Sequence, residues 1–85
     1  MKNKQFLWND MELQATLNLY YYLEASSQKI SSKNKMVINT ANSIKRSVSA
    51  VVMRLGNYRY WESNGLEGLS NGGPNAKNFW LKHRI

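Results

Sequence analysis

No cysteine occurs among the 85 residues, and histidine (His83) and proline (Pro74) occur once each. The first absence excludes a disulfide framework, a thiolate metal site and a cysteine nucleophile, and one imidazole cannot build a histidine-based metal centre. Acidic residues are scarce: five Asp and Glu stand against twelve Lys and Arg, a formal charge of +7. No long apolar run is present either. Leu17 to Leu23 is interrupted by Asn18 and falls far short of the roughly 20 residues of a membrane span. Met1 to Gln5 is polar, with no apolar segment of the secretory kind behind it, so the expected location is cytoplasmic, without membrane association. A chain this short buries only about 60% of its unfolded surface. That leaves room for one core and argues against a self-contained enzyme; no catalytic constellation, cofactor or metal site is expected.

The composition, 42% hydrophobic and 12% aromatic, is that of a folding chain. Its charges are segregated. Lys29, Lys33, Lys35, Lys45, Arg46, Arg54 and Arg59 fall between Ala25 and Trp61, while Asp10, Glu12, Glu24, Glu62 and Glu67 all lie outside that stretch. A cationic block of this kind is either a solvated surface or a polyanion-binding face.

Asn9 and Glu12 have capping-box spacing, which predicts a first helix from there to Ala25. Read alone, Leu17 to Leu23 also suits a strand; the cap and the length of the run favour helix. Ser31 or Ser32 is a candidate cap for a second helix through about Asn42, Ser43 to Arg46 reads as a turn, and Ser47 caps a third helix. In it Val48, Val51, Val52 and Leu55 repeat at i, i+3, i+4 and i+7 and face the core, with Gly56 suggesting an end near Asn57. Tyr58 to Trp61 reads as a short extended piece. Gly65 to Asn75 carries four Gly, the single Pro and two Asn, the chemistry of a loop or hairpin. Leu66 and Leu69 are expected to pin it, with Ser70 to Asn75 as a flexible wing. Asn75 is a candidate cap for a last short helix presenting Ala76, Phe79 and Trp80 to the core. The expected fold is therefore mainly α: a small helix-turn-helix or winged-helix-like domain with a Gly-rich loop or wing and a short C-terminal helix. Residues 1–8 read as a polar lead-in and 9–85 as one DNA-binding domain.

The stripe of the third helix opposite the core suits the major groove. Arg54 is a candidate for guanine, Asn57 for adenine, and Ala50 and Met53 for a thymine or added base methyl. Lys45, Arg46 and Ser47 stand at the helix N-terminus, where a phosphate would be met. Ser49 and Arg59 on the helix side and Ser70, Asn71 and Gly72 on the loop complete the candidate DNA-binding set. Competing structural roles are an Arg46 ion pair to Glu24 or Glu12, an Arg54 stem lying over aromatics, and Asn57 as a helix cap. Lys29, Lys33 and Lys35 are backbone contacts or solubility charges. Trp8, Trp61 and Trp80 are expected in the core, and Asp10 and Glu12 suit a helix N-terminus without any catalytic role.

The run Arg46-Ser47-Val48-Ser49-Ala50-Val51-Val52-Met53-Arg54-Leu55-Gly56-Asn57-Tyr58, followed by Gly65-Leu66-Glu67-Gly68-Leu69-Ser70-Asn71-Gly72-Gly73 and a Trp in the next helix, resembles the N-terminal DNA-binding domain of bacterial HNH restriction endonucleases. The resemblance spans Leu13 to Trp80 and departs from the family at Tyr60-Trp61-Glu62, where an Asp-Pro often follows the aromatic residue. It implies a module that delivers a nuclease to double-stranded DNA, methylated or otherwise modified in some relatives. The nuclease motif itself is absent from the sequence, so the expectation is either a fragment of such an enzyme or a stand-alone relative, any nuclease domain being lost from or separate from this chain. The competing expectations are a protein-interaction module and an RNA-binding domain.

Overall fold

A computed structural model of the chain describes residues 7–85, so the expected polar lead-in lies almost wholly outside the described residues. Four helices follow in order: α1 (Asp10–Ala25), α2 (Lys35–Ile44), α3 (Val48–Glu62) and α4 (Gly73–His83). No strand occurs among the described residues. The expected winged-helix character is thereby overturned, and the fold is an all-α bundle of four helices.

Local chemistry explains most helix starts. At α1 the Asn9 side chain accepts from the Glu12 amide at 2.8 Å while Glu12 accepts from the Asn9 amide at 3.0 Å, the reciprocal box that satisfies two otherwise orphaned donors. Ser47 caps α3 by accepting from the Ala50 amide. The cap of α2 is Asn34, not Ser31 or Ser32. Its side chain accepts from the Met36 and Val37 amides, whereas the Ser31 hydroxyl is used by the Lys33 amide in a local turn. Helix α4 starts at Gly73 with Gly72 as cap and Pro74 in its first turn, where a missing amide costs nothing. Asn75 lies inside α4 and donates to the Trp8 carbonyl instead of capping.

Helices α1, α2 and α3 all close in the same way. Paired backbone bonds, Gln28 to Leu23 with Ser27 to Glu24, Arg46 to Ala41 with Lys45 to Asn42, and Gly65 to Tyr60 with Asn64 to Trp61, make three closures of the Schellman type. The left-handed position in each is Ser27, Lys45 or Asn64, with φ between 56 and 59°. None is glycine, although a residue with a Cβ pays roughly 1 to 2 kcal/mol there.

The core lies along α1 and α3. Leu13, Leu17, Tyr20 and Leu23 from α1 meet Val37, Ala41 and Ile44 from α2, Val51, Leu55, Tyr58 and Trp61 from α3, and Ala76, Phe79 and Trp80 from α4. Helix α3 runs to Glu62, beyond its expected end at Asn57, because Tyr58 and Trp61 continue the buried stripe of Val51 and Leu55. The expected extended segment at Tyr58 to Trp61 is thus helical. Gly56 does not break the helix: a Cβ there would come 3.0 Å from the Leu69 side chain, so the glycine admits the loop against the helix. Leu69 is pinned there, its amide bonded to the Gly56 carbonyl at 3.0 Å. Leu66 is 86% exposed and pins nothing.

Candidate nucleic-acid interface

Helices α2 and α3 are joined by the three residues Lys45, Arg46 and Ser47. Ile44 ends α2 buried in the core, Lys45 turns the chain in the left-handed conformation with its side chain exposed, and Ser47 opens α3. Lys45, Ser47, Ser49 and Met53 are exposed along this end of α3 and Ala50 is half-buried between them. The Ser47 and Ser49 hydroxyls are 3.3 Å apart.

The arginines and Asn57 are engaged within the fold. Arg46 holds Glu12 with two prongs, donates a further bond to the Leu7 carbonyl at 2.8 Å and lies 4.7 Å from the Trp8 ring centre. The competing ion-pair role is the one the fold uses. This donor lowers the Glu12 carboxyl below its ordinary pKa of 4.5, against the opposing effect of burial. Arg54 also stacks 4.7 Å from the Trp8 ring centre and donates to Asn57 Oδ1 and the Gly72 carbonyl. Its Nε is buried without a hydrogen-bond partner among the described residues. Burial pushes the Arg54 guanidinium below its ordinary value, the Tyr58 hydroxyl pulling it up and the Arg46 charge adding to the drop. Asn57 is only 3% exposed and donates to the Leu69 carbonyl and Asn71 Oδ1. It fastens the Gly-rich loop to α3. Arg59 bridges Glu24 and Glu67.

On the loop, Ser70 and Asn71 are exposed. Gly72 has a packing role: a Cβ there would collide with the Trp61 ring and stand 2.9 Å from Asn57 Cγ. Ala50, Met53, Arg54, Asn57 and Asn71 meet Trp8 around a hollow of about 140 Å³. Five of the candidate residues are therefore brought together; Arg59 lies apart, tied to α1 by Glu24. Trp8, expected in the core, is a half-buried wall of this hollow. No pattern in the sequence marked it as the residue that both Arg46 and Arg54 cover.

Arg46 and Arg59 consume carboxylates. Glu12, Glu24 and Glu67 are all paired to Arg46 or Arg59, and Glu62 accepts from the Tyr21 hydroxyl and the Trp80 indole. Lys29, Lys33, Lys35 and Lys45 are exposed and form no ion pair among the described residues. Lys35 and Lys45 stand at the two ends of α2, which at 1.5 Å per residue puts them about 15 Å apart.

Among the described residues no group of acidic or histidine side chains is arranged to hold a metal ion, and no helix is long and apolar enough to cross a membrane. No family model, curated protein or solved structure matches the chain.

Proposed function

We propose that the chain binds double-stranded DNA through the α2–α3 turn and the exposed N-terminal half of α3. The supporting observation is that Arg46 and Arg59 take up three of the five carboxylates, while Lys29, Lys33, Lys35 and Lys45 remain exposed around α2 and unpaired among the described residues. Lysine ammonium groups free of carboxylates are suited to phosphates, and a span of about 15 Å between the ends of α2 is comparable to the roughly 12 Å major groove. In this reading Lys45 and Ser47 meet backbone phosphate, and Ser49, Ala50 and Met53 face base edges. Arg46 holds α1 against the turn, and Arg54 and Asn57 shape the Trp8 hollow without reading bases in the free protein. A base methyl of modified DNA is of a size to approach Ala50 and Met53. By its resemblance the module would target a nuclease whose cutting residues lie in another domain or chain.

The test is fluorescence polarisation of a labelled duplex at several salt concentrations. Four phosphate contacts predict a slope of log K against log salt of about −3.6, and Lys45→Ala reduces its magnitude by about 0.9. Arg46→Ala lowers stability instead. Absence of duplex binding at low salt would overturn the proposal.

A protein-interaction reading draws on a different surface. Met11, Tyr22 and Met36 are exposed, and Tyr22 and Met36 line a shallow face with Ala15, Leu19 and Thr40 between α1 and α2. Association that is insensitive to salt and lost in Tyr22→Ala would favour it.

A further inference from the structure

A second concavity, of about 310 Å³, lies between the C-terminal end of α3 and the outer side of α4, at the lower end of the size range of small-molecule sites. Tyr60, Trp61 and Asn64 line one side and Lys77, Trp80 and Arg84 the other. Lys77 and Trp80, spaced i and i+3, lie along one edge of α4, and Arg84 is the residue that caps its C-terminus. Trp61 and Trp80, 8% and 4% exposed with ring centres 5.8 Å apart, form the floor. Tyr60 is half-buried beside them. Lys77 Nζ stands 5.9 Å from the Trp61 ring centre and Arg84 Cζ 4.9 Å from that of Trp80.

The charge of this groove is one-sided. Among the described residues no carboxylate lines it, and neither Lys77 nor Arg84 forms an ion pair. Glu62 is nearby, but its Oε2 is held by the Trp80 indole and the Tyr21 hydroxyl. Asn64 is exposed and its side-chain amide makes no hydrogen bond among the described residues. A half-buried tyrosine beside two largely buried indoles, two cations without carboxylate partners among the described residues and an exposed amide are complementary to a flat heterocycle that carries phosphate, with the amide matched to the paired donor and acceptor of an adenine edge.

We infer that this groove binds a nucleotide unit, the base against Tyr60 and the Trp61–Trp80 floor and the phosphate between Lys77 and Arg84. The unit comes either from a free mononucleotide or from an unpaired nucleic-acid strand. The site is independent of the duplex-binding face of α3, so loss of duplex binding leaves it standing.

The test follows the indole N–H resonances of the wild-type protein by NMR, with Trp8, outside the groove, as internal control. Adenosine 5′-monophosphate shifts the Trp61 and Trp80 signals and spares Trp8, whereas adenosine and inorganic phosphate each bind at least about tenfold more weakly. Lys77→Ala and Arg84→Ala, both on exposed side chains, each weaken binding by about fivefold, and Lys45→Ala leaves it unchanged. A short oligodeoxyadenylate that binds more tightly than the mononucleotide identifies a strand as the source, and equal affinities identify the free nucleotide. The inference is overturned if neither ligand moves the two indoles, if adenosine binds as well as the monophosphate, or if both alanine variants bind like wild type.

Discussion

Arg46 and Glu12, 34 positions apart, form a two-pronged ion pair, Nε to Oε2 at 3.1 Å and Nη2 to Oε1 at 2.8 Å, with each side chain only 11% exposed. Glu12 is at the same time the acidic half of the α1 capping box. One carboxylate therefore fixes the start of α1 and ties it to the turn before α3.

Removing one member of so covered a pair leaves the other charge without a partner. Arg46→Ala is expected to cost about 3 kcal/mol and to lower the melting temperature by more than about 10 °C. The pH dependence follows from the direction of the Glu12 shift. Its pKa is lowered in the folded state, so its stabilisation is present above the ordinary 4.5 and is lost as pH falls through the lower folded value. Thermal melts between neutral and acid pH are expected to show this loss, and Glu12→Gln to flatten it.

Tyr58 titrates in the opposite range. Its hydroxyl is buried between Thr16 Oγ1 and the Leu13 carbonyl, at 3.0 Å from each, and burial pushes it up to about 12 from an ordinary 10.0. The unfolded chain releases this proton first, so stability holds up to about pH 10 and falls as pH rises to about 12, by about 2 to 3 kcal/mol. Tyr58→Phe is expected to lose about 1 kcal/mol at neutral pH and to reduce the alkaline decline in denaturant titrations, the remainder coming from Tyr20 and Tyr21, whose hydroxyls burial also pushes up.

Two glycines in the α3–α4 connection and at the start of α4 share a left-handed backbone but differ in surroundings. A Cβ on Gly68, φ +87°, would collide with the Gly56 carbonyl oxygen and stand 2.6 Å from the Tyr60 amide nitrogen, both backbone. Gly73, φ +80°, has nothing within 4 Å. Gly68→Ala is expected to cost more than about 3 kcal/mol and Gly73→Ala about 1, a difference that chemical denaturation of the two variants resolves.

Lys45 links stability to the proposed function. In its left-handed position glycine is preferred, so Lys45→Gly is expected to raise stability by about 1 kcal/mol while weakening duplex binding. Lys45→Ala keeps the Cβ penalty and is expected to melt like wild type. Equal duplex affinity of all three would remove Lys45 from the interface.

The sequence revealed what depends on neighbours in the chain. The Asn9 and Ser47 caps, the α3 stripe at Val51 and Leu55 and the buried edge of α4 were all readable from local spacing. What depends on distant contacts was not. Gly56 looked like a helix end because its partner, Leu69, arrives from a loop 13 residues later. The true closures at Lys45 and Asn64 carry no glycine in the left-handed position and gave no signal. The glycines of the connection looked like a wing, but Gly68 and Gly72 are there to let backbone and Trp61 approach. Asn57 fell on the outward stripe of a bare helix and is covered because that loop folds over it. Arg54 and Trp8 share the same history: their stacking is tertiary, and no periodicity encodes it.

The division of labour between the basic side chains has a practical consequence. With Arg46 and Arg59 paired to carboxylates, the exposed positive charge of α2 and its flanking turns is carried by the primary amines of Lys29, Lys33, Lys35 and Lys45. Amine-selective acylation would erase that charge without touching the guanidinium pairs that hold the helices together, so the electrophoretic character of this face and the integrity of the bundle are chemically separable.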